Sequence, residues 1–171
     1  MADWAYGVSL LDLADLCLDN ALSSEISDEV LRADCLSLAS AVARLRGDLT
    51  AAIGYAEECL EIDRSSGIED NISSSLNNIA GLYMTYGDAE SARKYIDEAL
   101  EIEQKLGRSG YLAVRYGVAS EIYLHLGLHD QALAFVNKAF ELDSLDNSTE
   151  KVAVRRSQKA EVLMQIGQVR E

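Results

Sequence analysis

His125 and His129 stand four residues apart, the spacing that sets two imidazoles on one helical face for a metal ion. Between them lies Leu126-Gly127-Leu128, which reads as a turn, so the two rings do not share a face, and no third ligand accompanies them. Surface or groove histidines are expected. Paired carboxylates serve acid–base chemistry when their surroundings split their pKa values, and Glu57-Glu58, Asp97-Glu98 and Glu101-Glu103 supply such pairs. They recur with the period described below, which marks a solvated helix face, and Glu103 is expected in water with the rest. Ser73-Ser74-Ser75 has no adjacent base, and no glycine-rich phosphate loop is present. Cys17, Cys35 and Cys59 are too few and too widely spaced for a disulfide framework or a zinc site, and read as small buried thiols. The expectation is therefore no catalytic residue, no metal, no cofactor and no enzymatic activity.

The elements that would position any binding groups are legible from composition. The chain has 171 residues, 49% of them hydrophobic and 26% charged, and no proline. That is a globular balance without the strongest helix breaker, and it favours an all-α protein. Twenty-nine acidic against fifteen basic residues give a formal net charge of -14, which repels nucleic-acid phosphates and anionic membranes. Neither partner is expected. The first twenty residues interleave apolar side chains with aspartates and lack a basic region, so they do not read as a signal peptide. A cytoplasmic location follows, or a periplasmic one if a signal precedes this sequence.

A 40-residue ruler runs through the chain. Arg46-Gly47-Asp48, Tyr86-Gly87-Asp88, Leu126-Gly127-Leu128 and Ile166-Gly167-Gln168 mark one series of turns, and Gly67, Gly107 and Asn147 mark a second. Between turns the apolar residues keep helical spacing: Ala92, Tyr95, Ile96, Ala99 and Leu100 after Gly87, and Ala132, Phe135, Val136 and Ala139 after Gly127. Asp48 and Asp88 stand where an N-cap acceptor belongs.

Small residues at fixed places carry a family resemblance: Ala80, Ala92 and Ala99; Ser120, Ala132 and Ala139; Ser40, Ala52 and Cys59. The chain resembles the tetratricopeptide repeat, in its long branch of about 40 residues, which includes kinesin light chains and bacterial sensor and regulator arrays. The resemblance implies a right-handed α-α superhelix of about eight antiparallel helices in one domain. Residues 1–27 would form a half repeat, 28–67, 68–107 and 108–147 whole repeats, and 148–171 a half repeat or cap. An array ending in mid-motif reads as part of a longer protein, while Arg156 and Lys159 at otherwise apolar positions favour a natural cap.

In this family the first helices line a groove. Carried over by position, the groove residues are Asp34, Ser37 and Arg44, then Ser74, Asn77, Gly81, Met84 and Thr85. Val114, Gly117, Glu121, Leu124 and His125 follow, and then Ser157 and Glu161. Gly81 and Gly117 either clear space for a ligand backbone or let helices pack closely. Cations that would clamp a chaperone's C-terminal carboxylate are missing, so such tails are not expected partners. The resemblance implies a protein- or peptide-binding module, the sensing part of a bacterial signalling or regulatory protein. The alternative is a free-standing scaffold that self-associates through its exposed ends.

Overall fold

The computed structural model describes residues 29–145 and 149–170, with the side chains of 168–170 excepted. The half repeat expected over 1–27 and the cap expected at Asn147 lie outside the described residues. Among these, seven helices and no strand occur: α1 Glu29–Leu45, α2 Leu49–Ser66, α3 Glu69–Tyr86, α4 Ala89–Leu106, α5 Ser109–His125, α6 His129–Leu145 and α7 Thr149–Arg170. The all-α, helical-repeat expectation holds.

The two series of turns differ in construction. Gly67 ends α2 with φ 70°, and its N–H reaches the carbonyls of Asp63 and Arg64, a left-handed cap that a side chain would strain. Gly87 lies inside a helix pair at φ 93°, and the next amide, Asp88 N–H, closes the turn on the Tyr83 carbonyl at 2.9 Å. Asp88 then accepts from the Ser91 amide at 3.0 Å and the Ser91 hydroxyl at 2.6 Å, which hold its carboxyl below the ordinary range. Asp48 caps α2 in the same way through the Ala51 amide. Gly167 departs from the ruler. Helix α7 continues through it to Arg170, so the turn expected there is absent. Gln168 is no N-cap acceptor, and Gln and Arg are good helix formers, whereas one interior glycine costs only about 1 kcal/mol.

The chain divides into two compact units, Met1–Leu82 and Tyr83–Glu171, with the boundary inside α3. In the first unit α1 and α2 form an antiparallel pair. Leu36, fully buried, packs with Ala33 and Cys59 and is flanked by Tyr55 and Ile62. Ala39 and Val42 form a second cluster with Cys35 and Tyr55. The Ser40 hydroxyl donates to the Ala52 carbonyl at 2.8 Å, so the small residue at the crossing also ties the helices together. Cys59 is the buried thiol the sequence suggested, and burial raises its pKa.

In the second unit the aromatic residues fill the spaces beside the small ones. Tyr83 stacks on Tyr95 with ring centroids 5.5 Å apart, and Phe135 lies between Tyr116 and Tyr123 at 5.8 and 4.9 Å. Ser120 repeats the role of Ser40, donating to the Ala132 carbonyl at 2.9 Å. Tyr123 donates to both carboxylate oxygens of Asp97, at 2.9 and 3.0 Å, under the guanidinium of Arg93. Burial first, and Asp97 second, raise the phenol's pKa. A raised folded value means that this contribution is whole below the unfolded value near 10 and is lost as pH climbs through the folded one. Between neutral and alkaline pH the parent should therefore lose more stability than Tyr123→Phe, which lacks this contribution throughout, as followed by denaturant unfolding with circular dichroism.

Candidate partner-binding surface

The first-helix positions chosen from the sequence fall into three classes. Asp34, Ser37 and Arg44 on α1, Ser74, Gly81 and Thr85 on α3, Val114, Glu121 and His125 on α5, and Ser157 and Glu161 on α7 are exposed. Asn77 and Met84 are half-buried. Gly117 and Leu124 are buried. Each helix presents its candidates at spacings of three and four, so within α3 Ser74, Asn77 and Gly81 share one face.

The two helix-interior glycines turn out to be unlike. At Gly117 an added Cβ would overlap the guanidinium of Arg155, which fills the space that the absent side chain leaves. Arg155 there donates through Nη2 to the Ala113 carbonyl at 3.2 Å, through Nη1 to Gln158 at 2.8 Å and through Nε to Asp143 at 2.9 Å. Gln158 in turn donates to Glu121. In the second unit, therefore, α7 side chains occupy the strip that Gly117 opens. At Gly81 an added Cβ would meet nothing within 4 Å. One turn earlier on the same helix, Oδ1 of Asn77 is buried and accepts no hydrogen bond among the described residues. An orphaned buried acceptor costs about 1–3 kcal/mol, so a site that keeps one beside open space calls for a donor from outside.

The histidines flank the α5–α6 turn as expected. His125 donates through Nδ1 to the Glu121 carbonyl at 2.9 Å, while Nδ1 of His129 is buried without a partner among the described residues.

Sequence reasoning missed a second periodic feature and placed Glu103 wrongly. Far from being solvated, Glu103 is fully buried, with Arg108 bound to both its oxygens at 2.8 and 3.2 Å and Arg115 at 3.7 Å. Asp63 and Asp143, at the same place in their own helices, are also buried. Each of the three acids meets the residue twelve positions later on the next first helix: Ser75 at 2.6 Å, Arg115, and Arg155. The recurrence of 63, 103 and 143 with 75, 115 and 155 was the available signal. Buried carboxylates thus staple consecutive repeats, and the neighbouring Glu101 stays in solvent.

Comparison with known proteins follows from this geometry. The tetratricopeptide repeat model matches residues 71–144. Residues 71–144 are tetratricopeptide repeats. No protein of curated function matches the chain. Among solved structures, the chain is similar to BtubC (BKLC) from P. vanneervenii, with 22% identity, a TM-score of 0.78, and coverage of 91% of this chain and 65% of that one. It is similar to the STAND protein with a tetratricopeptide repeat sensor, PH0952, from Pyrococcus horikoshii, at 17% identity and TM-score 0.80, covering 95% and 25%. A Rap protein complexed with Competence and Sporulation Factor aligns at 18% identity and TM-score 0.72, covering 93% and 46%. At these identities the likeness is one of fold, and the chain spans less than two thirds of each of these proteins. Among the described residues, no helix is long and apolar enough to cross a membrane.

Proposed function

We propose that this repeat array is a partner-sensing module that captures an extended peptide or protein segment on its first-helix faces, and that it serves a bacterial signalling or regulatory protein. The carrying observation is the orphaned Oδ1 of Asn77 beside the open helix surface at Gly81. An extended backbone offers amide N–H groups at regular spacing, and an acceptor next to a residue without a side chain is the arrangement that admits one. The sensor role of the repeats named for the STAND protein, and the Rap protein's complex with its factor, support the same class of activity. We read the chain as an interaction module rather than an enzyme. The free thiols Cys35 and Cys59 fit a reducing, cytoplasmic setting.

Gly81→Ala separates function from folding. An alanine in an open helix interior is expected to stabilise the fold by about 0.5–1 kcal/mol. If Gly81 clears the way for a partner, the same change weakens capture. A peptide enriched from a random display library on the parent chain should bind Gly81→Ala and Asn77→Ala at least tenfold more weakly by calorimetry, with the melting temperature of Gly81→Ala raised. Undiminished binding by both variants would remove the basis for this site.

A further inference from the structure

Arg115 and Arg155 hold equivalent places forty positions apart, yet only one of them is fully matched. Arg155 uses every arm, with Nε on Asp143, Nη1 on Gln158 and Nη2 on the Ala113 carbonyl. Arg115 finds its acid already engaged. Nε and Nη2 of Arg108 hold the two oxygens of Glu103 at 3.2 and 2.8 Å, while Nη2 of Arg115 stands off at 3.7 Å. Its Nε is buried and meets no acceptor among the described residues. A guanidinium cannot shed its proton to escape burial, so the unfilled donor is a standing cost. Burial and the nearby charge of Arg108 both oppose the charge on Arg115, and Glu103 alone of the acids acting on it favours that charge.

Arg108 differs from Arg115 in reaching solvent, with 27% of its side chain exposed. Its guanidinium lies 4.6 Å from the centroid of the Tyr111 ring, which is itself exposed. Ser109, Gly110 and Tyr111 open α5 and are all exposed, and an added Cβ at Gly110 would meet nothing within 4 Å. Val114, one turn on from Tyr111, is exposed as well. A mobile cation therefore sits beside an accessible backbone edge and two apolar side chains, and a second, buried cation is placed to succeed it on Glu103.

We infer that Arg108 receives an acidic side chain of a captured segment, and that Arg115 replaces it on Glu103 when it does. The inference rests on the reading of the first helices as a capture surface, and it names the chemistry of what is captured. In the exchange Arg108 turns outward to the arriving carboxylate across Tyr111. Arg115 closes from 3.7 Å onto the oxygens that Arg108 leaves, so its Nε gains an acceptor and Glu103 is never left unpaired. No covalent bond changes and no proton moves. A neutral side chain offers Arg108 too little to leave a buried carboxylate, and a basic one is repelled. In a chain of net charge -14, two guanidiniums meeting at Glu103 mark a place where an acid is accepted. Because Arg115 lies within α5 and Arg108 in the turn before it, the exchange also ties α4 more firmly to α5.

The side-chain Nε–H resonances of Arg108 and Arg115 report the exchange. N-acetyl-glutamate amide, titrated into the parent at constant ionic strength, should move both signals to saturation, and N-acetyl-glutamine amide should move neither. The Arg115 signal should travel in the direction it takes in Arg108→Gln, where Glu103 passes to Arg115 without a ligand. Peptides selected on the parent from the random library should carry Asp or Glu. Replacing that acid by its amide should weaken binding to the parent by about tenfold, and to Arg108→Gln by less than about twofold. An Arg115 signal that stays in place while Arg108 responds overturns the exchange, as does a response to inorganic phosphate with none to the glutamate probe. An amide replacement that weakens binding equally for parent and Arg108→Gln, with helicity of the variant intact by circular dichroism, overturns the assignment of Arg108. Failure of every library peptide to bind would count against the capture reading, and the glutamate titration would still decide the exchange.

Discussion

Glu103→Ala is expected to destabilise the folded chain by about 3–5 kcal/mol, the cost of leaving a buried charge without its partner. The side chain has no exposure, and Arg115, 5% exposed, depends on it. Nε of Arg115 finds no hydrogen-bond acceptor among the described residues, and the guanidinium otherwise leans on the Tyr111 ring at 6.0 Å. Burial already lowers the arginine's pKa, with Glu103 opposing that shift. Arg108 is less exposed to the loss, since it can swing toward water from its 4.6 Å contact with Tyr111. Denaturant unfolding of the second unit reads the effect. The double change Glu103→Leu with Arg115→Met should recover much of it, because an apolar pair avoids both desolvation penalties. A loss under 1 kcal/mol for Glu103→Ala would mean that water reaches the carboxylate and that the staple is not a buried one.

Leu36→Ala is expected to cost about 2–5 kcal/mol, from lost apolar transfer and the cavity left behind. Leu36 is fully buried among Ala33, Cys59, Tyr55 and Ile62. Three of these cannot easily move inward, because Ala33 and Cys59 are short and Cys59 is tied to the Ala33 carbonyl at 3.4 Å, while Tyr55 also serves the neighbouring Ala39–Val42 cluster. Leu45→Ala is the control: at 70% exposure it should change stability by less than about 0.5 kcal/mol. In a repeat protein each element answers chiefly to its neighbours. Amide exchange should therefore quicken first in α1 and α2 for Leu36→Ala, and first in α4 and α5 for Glu103→Ala. Equal acceleration everywhere would contradict a division into two units.

The turns were legible in the sequence because each is made by residues whose properties are local. A glycine at positive φ and an aspartate three residues before its amide partner need no distant contact to reveal them. Small residues at the crossings were legible for a related reason: their size recurs at a fixed interval. The buried acids were not, since Glu103 looks like its solvated neighbour Glu101 until Arg115 is placed against it from the next helix. The contrast between Gly81 and Gly117 was hidden in the same way. Both are helix-interior glycines, and only the arrival of Arg155 on α7 distinguishes a seat already filled from a surface left open. Gly167 shows the converse error, in which a period carried a turn onto a position where the following residues favour continued helix.

The central claim is that partners are held on the first-helix face around Asn77. The side-chain amide resonances of Asn77 test it most directly, followed in a titration with a library-selected peptide. The account predicts that they shift and saturate with the binding curve measured by calorimetry, while amides around the solvent-facing Glu101 on α4 stay in place. Saturation of the Glu101 region with the Asn77 amide unmoved would contradict it.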